Sequence, residues 1–160
     1  LTDVTGVQTC ALPIFHYFIY RPRLEHYERV ASFLARIDEH RRYKYEFEMV
    51  QIEYDANVKL LEMYDEELEH MMKLAHSFPS DDVLERTRKL EAERDEAGAK
   101  ADYLKQRLDL SKSYIEGLDK YLALSCMDFG FSQEEADRIM TDRMSPAEAR
   151  QLLISKGVIK

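Results

Sequence analysis

Between Pro22 and Pro79 the chain contains neither glycine nor proline, and an uninterrupted run of that length is what a long helix requires. Apolar residues recur along it at alternating spacings of three and four. Phe47, Tyr54, Leu61, Leu68 and Ala75 stand seven apart, and Val50, Asn57, Tyr64, Met71 and Phe78 form a second seven-residue series. These are the a and d positions of a coiled-coil heptad. Upstream, Val30, Leu34 and Ile37 obey the same rule in another register, so a stutter is expected near His40 to Arg42.

A second helix follows almost at once. Pro79 biases Phe78 away from helical geometry. Ser80, Asp81 or Asp82 can accept from the free amides of the next turn, and Asp82 with Glu85 has the spacing of a capping box. Val83, Leu90, Ala97, Leu104, Ser111 and Leu118 form one new series; Thr87, Arg94, Ala101, Leu108, Ile115 and Leu122 form the other. So short a connection forces the two helices to return antiparallel. Positions whose numbers sum to roughly 160 should then lie side by side, which sets Leu61 and Tyr64 against Ala97 and Ala101, large against small. The expected fold is all-α: a long antiparallel two-helix coiled-coil hairpin over 22–127, with helices about 22–78 and 81–127, and a small C-terminal helical unit over 128–160. Each long helix should extend about 70 to 80 Å.

Composition supports this class. A third of the residues are charged, with 5 glycines and 4 prolines, as in long exposed helices. The prolines, at 13, 22, 79 and 146, read as punctuation. The net charge of -8 makes the chain a poor match to nucleic acid or to anionic membranes.

The C-terminal unit should hold two short helices. Asp128-Phe129-Gly130-Phe131 breaks the second long helix. Ser132 with Glu135 is a capping box that opens a helix through about Met144. Ser145-Pro146-Ala147-Glu148 is another, with proline in the favoured first turn, and Gly157 closes that helix. Met127 to Phe131 as a hydrophobic loop, Glu134-Glu135-Ala136, and Ala149 with Leu152-Leu153 resemble a ubiquitin-associated domain over about thirty residues. That resemblance implies a ubiquitin- or peptide-binding module on a helical stalk, although the family's Met-Gly-aromatic loop is altered here to Met127-Asp128-Phe129.

Val4 to Ile14 read Val-Thr-Gly-Val-Gln-Thr-Cys-Ala-Leu-Pro-Ile, which resembles a translated sequencing adapter across all its residues. The resemblance implies that 1–14 are foreign and disordered, with 15–21 an irregular lead-in and the native chain beginning near His16. Cys10 would go with the adapter and leave Cys126 as a lone cysteine, which suggests a reducing intracellular compartment, cytoplasmic or other. The apolar stretch Ala11 to Tyr20 is too short to span a bilayer and lacks a basic leader.

Catalytic signatures are scarce. Glu67 and His70 have the Glu-x-x-His spacing of di-iron bundles, but no other histidine follows a glutamate by three, and both sit outside the seam. His70 and His76 lie on different parts of the helix surface. Asp128-Phe129-Gly130 spells a kinase tripeptide without the rest of a kinase. No catalytic, cofactor-binding or metal-binding residue is therefore assigned, and no cofactor or small-molecule substrate is expected.

The features that remain suggest a protein partner. Val58, Leu60, Met72 and Leu74 flank the seam at e and g, wider than a two-helix contact needs. Methionines at 49, 63, 71 and 72 suit an adaptable surface. Asn57 and Arg94 are polar seam residues that can select a register or a partner. Charge is segregated along the first helix, basic over 21–44 and acidic over 46–69. The expectation is a non-enzymatic coiled-coil interaction or scaffold protein, a homodimeric bundle or a subunit of a larger assembly. The alternatives are the ubiquitin- or peptide-binding module and nucleic-acid association through basic residues 21–44.

Overall fold

The computed structural model describes the chain from Val4 onward, with side chains from Arg23 to Lys160. Four helices follow in order: α1 (Val4–Ser77), α2 (Asp81–Asp128), α3 (Gln133–Met140) and α4 (Pro146–Ser155), and there is no strand among the described residues. The fold is an all-α helical hairpin with small helices after it. Helix α1 begins well ahead of the start expected near 22, so Pro22 lies inside it. Once a helix is nucleated, each added residue gains one hydrogen bond for the one residue fixed, so the helix can propagate through Pro22 although proline itself forgoes a bond. Residues 15–21, expected as an irregular lead-in, and residues 4–14 of the segment expected to be a disordered adapter artefact are helical within α1, while residues 1–3 lie outside the described residues.

The chain divides into two compact units, one spanning Arg42–Gly117 and the other combining the described residues up to Arg41 with Leu118–Lys160.

The Arg42–Gly117 unit is the closed end of the hairpin. Cross-helix partners fall in number on α2 as they rise on α1, the signature of an antiparallel pair. Glu53 meets Lys100 at 2.9 Å, Asp65 meets Arg94 at 2.8 Å and Glu67 meets Arg86 at 3.2 Å. Val50, Leu104 and Leu108 form the buried seam with Phe47 and Tyr54 against it. Leu61 lies against Gly98, and Ala97 and Ala101 are buried beside it, so bulky α1 residues sit where α2 is small. At the turn, Ser80 Oγ accepts from the Val83 amide at 3.3 Å, and Asp81 and Asp82 occupy the first turn, where the positive end of the helix dipole favours them.

The other unit is a four-helix cluster built from α1, the end of α2, α3 and α4. Val30, Phe33 and Ile37 of α1 pack with Leu122, Cys126, Phe129, Ile139, Met144, Ala149 and Leu153. The rings of Phe129 and Phe131 lie 5.2 and 5.7 Å from that of Phe33. Phe33 is fully buried although the expected register assigned the seam to Leu34, which is only half-buried. The reason is visible in the spacing. Phe33, His40, Phe47, Tyr54 and Leu61 form one unbroken seven-residue series, and Val30 and Ile37 stand beside it in the same buried cluster as Ile139 of α3 and Ala149 and Leu153 of α4. The stripe widens for extra neighbours; the register does not slip.

Helices α2, α3 and α4 end in the same motif, with the amide three residues past the last helical one bonding back to a carbonyl five residues earlier. Phe131 bonds Cys126, Arg143 bonds Arg138 and Val158 bonds Leu153. Gly130 and Gly157 supply the left-handed residue at φ 75° and 71°. After α3 that residue is Asp142, at φ 59°. Helix α3 therefore stops at Met140 rather than near Met144, because Thr141 and Asp142 turn the chain first. Both capping boxes expected of the C-terminal unit are present, at Ser132 with Glu135 and Ser145 with Glu148, whereas the Asp82–Glu85 spacing forms none because Ser80 caps α2 and Asp82 lies within its first turn.

Candidate interaction surface

The seam of the hairpin accounts for one face of α1. Directly opposite, on the same helix and within the Arg42–Gly117 unit, lies a second apolar stripe. Tyr45, Met49, Ile52, Ala56 and Met63 follow spacings of four and three, with Lys59 in the remaining place, so the stripe is itself a heptad seam. It is open to solvent: Tyr45 is 64% exposed, Ile52 63% and Met63 65%. Scattered exposed apolar residues are ordinary, but a row at coiled-coil spacing is the form a helix-binding surface takes.

Acidic residues rim the stripe. Glu48, Asp55 and Glu62 run along one edge, seven apart, and Glu46 and Glu53 begin the other, which continues with Leu60. In heptad terms these are the g and e positions, where charge decides partner and orientation. Among the described residues the ion pairs of this unit engage Glu53, Asp65, Glu67, Glu69 and Asp95. Glu48, Asp55 and Glu62 take part in none of them, and Asp55 accepts only an amide hydrogen bond from Gln51 at 2.8 Å. This edge thus keeps its negative charge facing outward.

The residues singled out from sequence have different places. Asn57 is 7% exposed, and its Nδ2 donates to the Ala97 carbonyl at 2.6 Å. It pins α1 to α2 and is not available on an outer face, because the seam that contains it is closed. Arg94 stands at the rim, on Asp65 at 2.8 Å and Asp95 at 3.5 Å, rather than on Glu66 or Glu67, and Glu67 instead receives Arg86. The Asp65 hydrogen bond holds the Arg94 pKa above the ordinary arginine value. Val58 is half-buried, while Leu60, Met72 and Leu74 are exposed. Their heptad positions put Val58 and Met72 on one flank of the seam and Leu60 and Leu74 on the other, so only Leu60 joins the outer stripe. A shallow groove on one flank is lined by Lys44, Phe47, Glu48, Lys112, Ile115 and Glu116.

His40 is a second feature that the heptad frame leaves out, although it continues the series of Phe47 and Tyr54 by one repeat. It is 1% exposed, with Nε2 2.7 Å from Asp119 Oδ1 and Nδ1 3.4 Å from Asp142 Oδ1. Arg41 donates to the Asp142 carbonyl at 3.4 Å. An imidazole between two carboxylates ties α1, α2 and the turn after α3 together, and it gives Asp142 a reason to hold its left-handed backbone. Cys126 is buried in the same unit, and burial, with the Glu135 charge adding to it, pushes its thiol up to about 11. Such a thiol is a packing group, not a nucleophile.

Of the segment that resembles a ubiquitin-associated domain, Phe129, Ala149 and Leu153 are buried, Phe131, Ala136 and Leu152 are half-buried and Met127 is exposed. Among the described residues no group of three or more His, Cys, Asp or Glu side chains is placed to hold a metal ion, and no helix is long and apolar enough to cross a membrane. No family model, curated protein or solved structure matches the chain.

Proposed function

We propose that this chain is a non-enzymatic coiled-coil interaction protein, a scaffold subunit that presents a helical surface to a protein partner. The observation that supports this reading best is the exposed heptad stripe from Tyr45 to Met63 on the face of α1 opposite the hairpin seam. A two-helix hairpin needs only one apolar stripe per helix; a second belongs to a larger bundle. The methionines within it adapt their shape to a partner at low cost.

The reading is tested on the isolated full chain at micromolar concentration, with light scattering for mass and a hydrophobic dye for exposed apolar surface. Dye fluorescence is expected with the native chain, and most of it is expected to vanish in the Ile52→Glu, Met63→Glu double variant. A monodisperse monomer that binds no dye would contradict the proposal.

A further inference from the structure

We propose that the outer face of α1 from Tyr45 to Met63 seats a basic amphipathic helix of a partner protein. This rests on the interaction role proposed above and adds the chemistry of the partner. The seam would be made by Tyr45, Ile52 and Lys59 at one core position and Met49, Ala56 and Met63 at the other, a span of nearly three heptads. At 1.5 Å per residue that is about 27 Å, room for a partner helix of five turns.

The flanking charges choose the occupant. Glu48, Asp55 and Glu62 fill every g position, and Glu46 and Glu53 fill the first two e positions. A second copy of this chain on the same stripe would meet its own acids in either orientation. A parallel pair sets g against e, and an antiparallel pair sets g against g and e against e. Nucleic acid and anionic lipid are repelled for the same reason. A helix with leucine-like residues at a and d and Lys or Arg at e and g satisfies both the stripe and its rim. Glu53 is already shared with Lys100 at 2.9 Å, so the edge formed by Glu48, Asp55 and Glu62 has the most to gain.

The test is a fluorescence-anisotropy titration of the full chain with two labelled synthetic peptides of three heptads, leucine at a and d, one with lysine at e and g and its twin with glutamate there. The lysine peptide is expected to bind at least about tenfold more tightly, and to weaken as salt is raised. Ile52→Glu, on an exposed face where it leaves the hairpin folded, should reduce binding about tenfold. The triple variant Glu48→Lys, Asp55→Lys, Glu62→Lys should reverse the preference, while the same change at Glu91, Asp102 and Asp109 of α2 should not. Equal binding of the two peptides, binding of neither, or binding insensitive to Ile52→Glu would overturn the inference. Self-association through the stripe, seen as a doubled mass in sedimentation that Ile52→Glu abolishes, would remove the basic partner and leave an interaction role standing. A dye-silent monomer that binds neither peptide would remove both.

Discussion

Asn57 and His40 are the two buried polar side chains of the described residues, and each stands in a place where an apolar residue would pack. They differ in what surrounds them. The Ala97 carbonyl that Asn57 bonds belongs to the interior of α2 and keeps its helical partner when the amide is gone, so nothing is orphaned. Asn57→Leu is expected to raise stability by about 1 kcal/mol in urea unfolding followed by circular dichroism; a loss of similar size would show that the amide bond outweighs its burial. His40 is the opposite case. Removing the ring leaves a void and two carboxylates, Asp119 and Asp142, facing one another. His40→Ala should therefore cost about 3 kcal/mol in the same measurement.

At the scale of elements, the helix ends decide the shape of the C-terminal unit. Ser132 and Ser145 accept from the amides of Glu135 and Glu148, and those glutamates accept from the serine amides in return. The hydrogen bond from Lys156, then that from the Ser132 amide, holds the Glu135 carboxyl below its ordinary value; Ser145 does the same for Glu148. A lowered folded pKa means that the stabilisation is complete above the ordinary glutamate value of 4.5 and is lost as pH falls through the folded one. Glu135→Gln with Glu148→Gln keeps the box geometry without a titrating group. Its helical signal should fall less steeply than the parent's over acid pH; identical acid limbs would show that the boxes carry no pH dependence. Gly130, at φ 75°, gives a further check: alanine there should cost about 1 kcal/mol in urea unfolding, and no change would argue against a left-handed end to α2.

How much of this was legible in the sequence follows from the same elements. Period and punctuation are local properties, so the seams, the Pro79 turn, α2 to within one residue and both capping boxes could be read directly. The end of α3 could not, because its left-handed residue is an aspartate, and the side chain that rewards it, His40, lies about a hundred residues away. Phe33 stayed hidden because Val30, Leu34 and Ile37 also stand at heptad spacing, and Val30 and Ile37 are buried as well, in the cluster that α3 and α4 complete. The outer stripe of α1 was present in the spacing of Tyr45, Met49, Ile52, Ala56 and Met63. It became separable from the seam only once the seam was seen to be closed by α2.

For the whole molecule, one surface carries the functional proposal: an open heptad seam on the Arg42–Gly117 unit, rimmed by acids of which only Glu53 meets a cation among the described ion pairs. The most direct measurement is a carbon-13 methyl spectrum of the full chain, titrated with the lysine-flanked peptide. The expected result is movement of the Met49, Ile52, Ala56, Leu60 and Met63 methyl signals, with those of Leu104, Leu108, Leu122 and Leu153 unmoved. Movement confined to the buried seam and cluster, or no movement at all, would contradict a partner seated on the outer face of α1.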